Sequence, residues 1–138
     1  LILASEAALK EHSLTPVARI IGYASAAVDP KLTFTAQALA INICMKRSSV
    51  RMSDVDLFEI NEAFAAQALL TIKELGLDTG LLNIFGGTIA LGHPLGASGA
   101  KGLVTLINAL KIRKQKVGMT GVCLGGGCAV SLAIRMLN

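Results

Sequence analysis

The chain has 138 residues, of which 53% are hydrophobic, and its formal net charge is +4, a balance that suits one folded domain. The modest charge, the single tyrosine and the lack of tryptophan exclude the basic, aromatic-lined surface that nucleic-acid binding uses. Charged or polar residues interrupt every apolar run before it reaches the roughly 20 residues of a membrane span, so no membrane partner is expected.

The first third of the chain predicts a strand end, a helix, a strand and a second helix. Residues 1–4 are apolar like the end of a strand, and they lack the basic residues of a signal peptide. A short helix is predicted over residues 6–12 and a strand over 17–25. Apolar residues recur at helical spacing over residues 35–47, which predicts the second helix.

The middle of the chain predicts the same alternation. A short apolar run predicts a buried strand over residues 56–60, and an apolar stripe that starts at Phe64 predicts a helix over 62–75. A glycine-rich connection over residues 86–96 then leads into a long helix over 97–113.

Two strands close the predicted fold, over residues 117–124 and 128–136, with Gly125, Gly126 and Gly127 as the hairpin turn between them. The predicted architecture is an α/β layered domain with a mixed five-stranded sheet and helices on both faces. Most of the sheet is expected to be parallel, because helices separate the strands, and it ends in one antiparallel pair.

Asn61 stands between the strand predicted over residues 56–60 and the helix that follows. Asparagine is a preferred helix N-cap and Glu62 suits a first turn, so a structural cap is the simplest explanation of this position. The alternative is a carboxamide at the mouth of a cleft, where it could donate a hydrogen bond to a developing oxyanion.

The two histidines have different surroundings. His93 precedes Pro94 in a loop rich in glycine, where packing in a helix or strand does not explain an imidazole and the proline restricts the backbone. A catalytic base and a structural hydrogen bond both fit this position. His12 lies on a polar helical turn and is expected to be solvated.

Cys123 is the third candidate for a functional residue. It ends a strand beside three glycines, which let backbone amides approach a ligand, although a buried cysteine is also a common small apolar side chain. Cys44 and Cys128 are expected to pack as apolar residues. A zinc site of Cys123, Cys128 and His93 lacks a fourth ligand, so no metal is expected. Three cysteines without a C-x-x-C pair indicate a reducing compartment.

Three segments surround the candidate residues: Asn61-Glu62-Ala63-Phe64-Ala65-Ala66-Gln67, Gly86-Gly87-Thr88-Ile89-Ala90-Leu91-Gly92-His93-Pro94-Leu95-Gly96-Ala97-Ser98-Gly99, and Cys123-Leu124-Gly125-Gly126-Gly127. They resemble the C-terminal motifs of the thiolases, in the same order and at similar spacing. The likeness covers essentially the whole chain and is nearest to the acetyl-CoA C-acetyltransferase branch. β-Ketoacyl synthases share the fold and a similar histidine loop, but the first and third segments favour a thiolase.

The resemblance implies a reversible Claisen condensation of acetyl-CoA, or the thiolysis of 3-ketoacyl-CoA, with no cofactor besides the coenzyme A thioester that is the substrate. Cys123 would be the acid/base that moves the α-proton. His93 would activate a nucleophilic cysteine and, with a water held by Asn61, stabilise the enolate. The backbone N–H of Gly125 would help to bind the oxyanion of the tetrahedral intermediate.

The resemblance also concerns the substrate channel. It implies that Ala63 and Phe64 line the channel for the acyl or pantetheine group. The segment Thr33-Phe34-Thr35-Ala36-Gln37 departs from the usual Met-Gly-x-Gly-Pro pattern of thiolases, and it introduces a bulky phenylalanine. Because this segment borders the acyl pocket in thiolases, the fit of the substrate is expected to differ.

By the same resemblance, residues 1–15 are the end of a strand of a preceding N-terminal half with a short helix, and residues 16–138 are the thiolase C-terminal domain. The N-terminal half carries the nucleophilic cysteine, so this chain is not expected to be active alone. It is expected to pack against such a half and to form a homo-oligomer. The expected compartment is the cytoplasm, with mitochondria and peroxisomes as alternatives. The alternative function is a non-catalytic thiolase-fold module that binds a partner.

Overall fold

Helices and strands alternate along the chain in a computed structural model that describes residues 1–137. In chain order the elements are α1 (Glu6–Glu11), β1 (Ala18–Ala27), α2 (Ala36–Ser48), β2 (Leu57–Ile60), α3 (Ala65–Leu75), α4 (Thr88–Leu91), α5 (Ser98–Arg113), β3 (Val117–Leu124) and β4 (Cys128–Met136). Short 3-10 turns cover Pro30–Thr35, Met52–Asp54, Thr79–Leu81 and Gly125–Gly127.

Within residues 1–137, four strands form one sheet in the order β1-β4-β3-β2. β4 is antiparallel to both of its neighbours, whereas β2 and β3 pair in parallel. The prediction of a five-stranded, mostly parallel sheet is therefore wrong. β1, β2 and β3 do point the same way, but β4 inserts between β1 and β3 and makes both of its own pairings antiparallel.

The apolar segment before α1 supplies no fifth strand. Leu1, Ile2 and Leu3 are exposed by 62%, 91% and 76%, and residues 1–5 pair with no strand. The side chain of Ser5 instead accepts a hydrogen bond from Ala8 N and begins α1. A short apolar run has no reason to extend as a strand without a neighbouring edge that satisfies its backbone groups.

Helices cover both faces of the sheet, as predicted. α2 packs against β1, β4 and β3, and α5 packs against β2 and β3. A Cβ at Gly118 in β3 would lie 2.8 Å from Leu106 and Leu110 of α5, whereas one at Gly121 would lie 2.9 Å from Ile41 of α2. Residues three positions apart in a strand point to opposite faces, so the two helices lie on opposite sides. No helix within the described residues is long and apolar enough to cross a bilayer.

The carboxyl ends of β2 and β3 meet at one edge of the sheet, because these two strands run parallel. Asn61 follows β2 at this edge, and Cys123 lies near the end of β3. The turn Gly125–Gly127 lies at the same edge, where Val28 N donates to Gly127 O over 2.9 Å. The sheet therefore brings candidate residues from distant parts of the chain to one place.

Candidate active site

Asn61 lies directly after β2 and is 5% exposed. Its backbone N–H donates to Gly121 O over 2.8 Å, which continues the pairing of β2 with β3 by one residue. The helix predicted over residues 62–75 begins only at Ala65, with Phe64 at the N-cap position. The prediction that Asn61 is a helix cap is therefore wrong, because the sheet holds its backbone in place.

The side-chain amide of Asn61 has one defined orientation. Thr88 Oγ1 donates to Asn61 Oδ1 over 2.8 Å, so the amide oxygen faces the start of α4. The Nδ2 group then faces Cys123 and donates to its Sγ over 3.4 Å. Nδ2 carries a second N–H, which leaves one donor for a water or a substrate oxygen.

A chain of buried amides fixes the thiol of Cys123. Gln37 Nε2 donates to two backbone carbonyl groups, Asn61 O at 3.1 Å and Gly121 O at 2.9 Å, so Gln37 Oε1 must accept. It accepts from Gln67 Nε2 at 3.2 Å, and Gln67 Oε1 therefore faces Cys123 Sγ at 3.5 Å. The thiol donates to Gln67 while it accepts from Asn61.

His93 is partly buried in the loop between α4 and α5. Its Nδ1 lies 2.5 Å from Ser98 Oγ, and that hydroxyl donates its one hydrogen to Pro94 O over 3.1 Å. His93 Nδ1 is therefore the donor in the first bond, and Nε2 is the unprotonated nitrogen of the neutral imidazole. This tautomer suits a base at Nε2 that becomes a hydrogen-bond donor once it is protonated.

Glu62 anchors the loop that carries His93. One carboxylate oxygen accepts from Asn83 Nδ2 at 2.8 Å, and the other accepts from Ile89 N at 3.0 Å in the first turn of α4. Asn83 also bonds the backbone of β2. Gly87 permits this close approach, since a Cβ there would lie 2.3 Å from the carboxyl carbon of Glu62. The start of α4 is thus tied to the end of β2.

The structure brings Asn61 and Cys123 into contact, but it does not join His93 to either of them by a hydrogen bond within residues 1–137. The connection is indirect. Thr88, which bonds Asn61, begins α4, and Ser98, which bonds His93, begins α5. Both hydroxyl-bearing residues line one small cavity next to the sheet edge.

The remaining predicted site residues lie at the surface of the same edge. Gly125 is exposed at the start of its turn, and Ala63 is partly buried. Phe64 is 64% exposed, so the prediction that it begins the buried stripe of α3 is wrong. Its backbone is extended because α3 has not yet begun, and its ring packs on Phe34 with the ring centroids 5.7 Å apart.

Several polar residues of the site were not predicted from the sequence. Gln67 and Thr71 lie four positions apart on the buried face of α3, a spacing that could have indicated a polar pair inside the amphipathic helix. Thr88 and Ser98 carry no such periodic signal, because their contacts depend on how the glycine-rich loop turns. Burial of Gln37 depends on two backbone carbonyl groups far away in the sequence.

The family described as "Thiolase, C-terminal domain" matches residues 14–136. The cytosolic acetyl-CoA acetyltransferase ERG10 of Gibberella zeae is 46% identical over 137 residues, which are 99% of this chain and 35% of that protein. The acetyl-CoA acetyltransferase of Escherichia coli is 44% identical over 138 residues, which are 100% of this chain and 35% of that protein. The chain thus spans about a third of the length of the curated relatives it matches.

Solved structures share the fold. Human mitochondrial 3-ketoacyl-CoA thiolase superposes with a TM-score of 0.94 at 40% identity, covering 98% of this chain and 34% of that chain. The Bacillus anthracis acetyl-CoA acetyltransferase gives a TM-score of 0.92 at 46% identity, covering 96% of this chain and 34% of that chain. The family match, the fold and the three sequence motifs agree. The chain belongs to the thiolase family, in which it corresponds to the C-terminal domain.

Proposed function

We propose that the protein carrying this chain is a thiolase of the acetyl-CoA acetyltransferase type, and that this chain supplies the C-terminal half of its active site. The reaction is the condensation of two acetyl-CoA molecules, or the thiolysis of a 3-ketoacyl-CoA in reverse. The observation that carries the proposal is the hydrogen bond from Asn61 Nδ2 to Cys123 Sγ at the sheet edge bordered by the His93 loop. Relatives named acetyl-CoA acetyltransferase support this substrate class.

The surroundings of Cys123 suit proton transfer to and from carbon. Asn61 Nδ2 donates a hydrogen bond to the sulfur, and Gln67 Oε1 accepts one from the thiol hydrogen. A group that removes the α-proton of acetyl-CoA and later returns it needs access to both its thiolate and its thiol form. The proposal includes no metal or cofactor, because fixed hydrogen-bond donors can stabilise the enolate of a thioester.

His93 and the turn Gly125–Gly127 would act on the nucleophilic cysteine, the enolate and the tetrahedral oxyanion. The unprotonated Nε2 of His93 would take the proton of a nucleophilic cysteine in the N-terminal half and then donate to the enolate oxygen. The backbone N–H of Gly125 would donate to the oxyanion of the tetrahedral intermediate. Ala63 and Phe64 would border the acyl or pantetheine channel, which the ring of Phe34 would narrow.

An apolar groove supports the proposal that a further domain packs on this one. The groove has a volume of about 840 Å³ and is lined mostly by apolar side chains of residues 1–20 and of α5. The curated relatives are long enough to contain such a domain, since this chain spans only 35% of their length. We propose that an N-terminal half ending near residue 15 fills the groove and that the whole protein is a homo-oligomer.

We also propose that the protein works in a reducing compartment. Cys44, Cys123 and Cys128 are all free thiols within residues 1–137. One relative is named as cytosolic and one solved relative as mitochondrial, which supports the cytoplasm or the mitochondrion.

Exchange of solvent deuterium into acetyl-CoA tests the proposal in the protein that carries this chain. Cys123→Ala is expected to slow the exchange about 10²–10⁴-fold, the usual contribution of general acid–base catalysis. Cys128→Ala is the matched control, because Cys128 is a second partly buried free thiol. Release of CoA during acylation of the nucleophilic cysteine is expected to survive Cys123→Ala in part. Exchange at the wild-type rate in Cys123→Ala would assign the proton transfer to another group.

A further inference from the structure

A carboxyl group that the proposed reaction does not use is buried beneath the site. Glu59 in β2 is 4% exposed, and within residues 1–137 its carboxyl group makes no hydrogen bond or ion pair. Thr120 lies opposite Glu59 in the pairing of β2 with β3, and its buried Oγ1 lacks a partner in the described chain. A buried hydroxyl group without a partner is costly, and a carboxyl group this close to it could share one further hydrogen-bonding group.

A small cavity next to these two side chains has room for such a group. Its volume is about 10 Å³, close to what one water molecule needs, and it lies between β2, β3 and the first turns of α5. Gly102 of α5 leaves this space open. A Cβ at that position would lie 3.5 Å from Thr120 Oγ1 and 3.7 Å from the Cγ of Glu59.

The cavity reaches the hydroxyl group that orients His93. Ser98 lines the cavity, accepts from His93 Nδ1 and donates its one hydrogen to Pro94 O. A serine oxygen has two lone pairs, so one acceptor position of Ser98 stays free. A water in the cavity can therefore donate to Ser98 while it bonds Glu59.

The same cavity reaches the residue that orients Asn61. Thr88 lines it and uses its one hydroxyl hydrogen to donate to Asn61 Oδ1. The lone pairs of the Thr88 oxygen can also accept, but a water has only two hydrogens, so Thr88 competes with Ser98 for the second one while Glu59 is ionised. Thr120 donates to the water, which donates to Glu59 and Ser98, and these are the three partners that a buried water typically uses.

We propose that Glu59 is a positioning residue: through one buried water shared with Thr120, it holds the Ser98 hydroxyl and thereby the Nδ1–H bond of His93. The inference rests on the proposed function for the catalytic role of His93. The hydrogen-bond network is a property of the fold and can be measured without any turnover.

Two charged groups face Glu59, namely Lys101 of α5 and Glu62 after β2. Lys101 is held by another contact, since its Nζ donates to Gly92 O over 2.6 Å. Burial raises the pKa of Glu59 from 4.5 to about 7, with Lys101 lowering it and Glu62 raising it to smaller extents. Glu59 therefore changes charge near neutral pH, and its carboxylate would polarise the Nδ1–H bond of His93 through the water and Ser98.

Modification by diethyl pyrocarbonate, which attacks an unprotonated imidazole nitrogen, reports on His93 without catalysis. Its rate is measured by mass spectrometry of the peptide between about pH 6 and 8, where histidine reactivity is informative. The exposed His12 in the same chain is the internal standard. As Glu59 ionises, Nε2 of His93 becomes a better nucleophile. The rate at His93 relative to His12 is therefore expected to rise with pH in the wild-type protein.

Glu59→Gln is expected to reduce this rise about twofold or more, because the variant keeps the shape of the side chain and loses its ionisation. Glu59→Asp is expected to restore part of the rise. Glu74→Gln makes the same chemical change at an exposed glutamate of α3 and is expected to leave the profile unchanged. An unchanged profile in a folded Glu59→Gln protein would overturn the proposal.

Thr120→Val tests separately whether a water occupies the cavity. It also tests the proposal if Glu59→Gln does not fold. A bound water loses one partner in this variant, so the profile at His93 is expected to flatten as in Glu59→Gln. A dry cavity predicts the opposite result, an unaltered profile with a higher Tm, which would refute the proposal. A flattened profile in a protein that shows no thiolase turnover would support the positioning role and contradict the proposed function.

Discussion

Asn61 Nδ2 and Cys123 Sγ lie 3.4 Å apart, although 62 positions separate the two residues in the sequence. The contact depends on the parallel pairing of β2 with β3, which places Ile60 opposite Gly121 and both strand ends at one edge. Thr88 fixes the amide from the other side. The hydrogen-bond donor to the sulfur is therefore set by the sheet and by α4 together.

Asn61→Asp is expected to slow the alkylation of Cys123 by iodoacetamide about tenfold or more, because a carboxylate replaces the donor and repels the reactive thiolate. The bond from Thr88 can persist, since an oxygen still faces it. The rate is measured by mass spectrometry at a pH of about 8, near the usual range of thiol ionisation. Cys128 in the same sample is the control, and equal slowing at both thiols would contradict the prediction.

Gln37→Leu is expected to lower the free energy of unfolding by about 2–4 kcal/mol, because it leaves the buried Asn61 O without its side-chain donor and takes the acceptor away from the buried Gln67 Nε2 and Thr71 Oγ1. The measurement is denaturant unfolding of the protein that carries this chain. Gln115→Leu is the matched control, since the buried Oε1 of Gln115 has no partner within residues 1–137 and its removal costs little. Equal effects of the two substitutions would show that the amide network does not stabilise the fold.

Local signals were sufficient to predict some elements of this fold. The run of three glycines between two apolar segments predicts the β3–β4 hairpin, and the structure confirms its bounds. α5 is also confirmed, since Leu106 and Leu110 recur at helical spacing and are buried. In both elements, contacts between near neighbours in the sequence decide the structure.

Non-local contacts explain what the sequence did not predict. Nothing local to β4 indicates that it inserts between β1 and β3, because strand order depends on which edges meet after folding. Asn61 satisfies the local pattern of a helix cap, but its backbone bond to Gly121 takes precedence. Gln37 is buried only because the carbonyl groups of Asn61 and Gly121 converge on it.

Gly87→Ala is expected to destabilise the protein by about 1–3 kcal/mol, the usual cost of forcing atoms into a packed site. The new Cβ would lie 2.3 Å from the Glu62 carboxyl carbon, so Glu62 must move away from Asn83 and Ile89. Gly96→Ala is the control, because a Cβ there meets nothing within 4 Å. Thermal denaturation compares the two variants, and a Tm loss as large in Gly96→Ala would contradict the steric explanation.

Glu59→Gln is expected to change how stability depends on pH. The pKa of Glu59 is raised from 4.5 to about 7 by burial, so between these values the folded state keeps a proton that the unfolded state has released. The wild-type protein therefore loses stability as pH rises through this window, and Glu59→Gln removes that loss, worth about 3 kcal/mol. Unfolding free energies are measured for both proteins at about pH 4 and about pH 8. The variant is expected to become more stable relative to the wild type at the higher pH only. The same dependence of stability on pH in the two proteins would contradict the prediction.

β1 leaves the ribosome about 100 residues before β4, the strand with which it pairs. During that interval the backbone groups along β1 have no sheet partner, although α2 is already available to cover one face of it. Pairing between strands far apart in the sequence slows folding, and a strand edge that is exposed in the meantime can pair with other chains. Synthesis of this domain therefore passes through a stage in which β2 and β3 can already pair, whereas β1 still depends on a strand that has not yet been made.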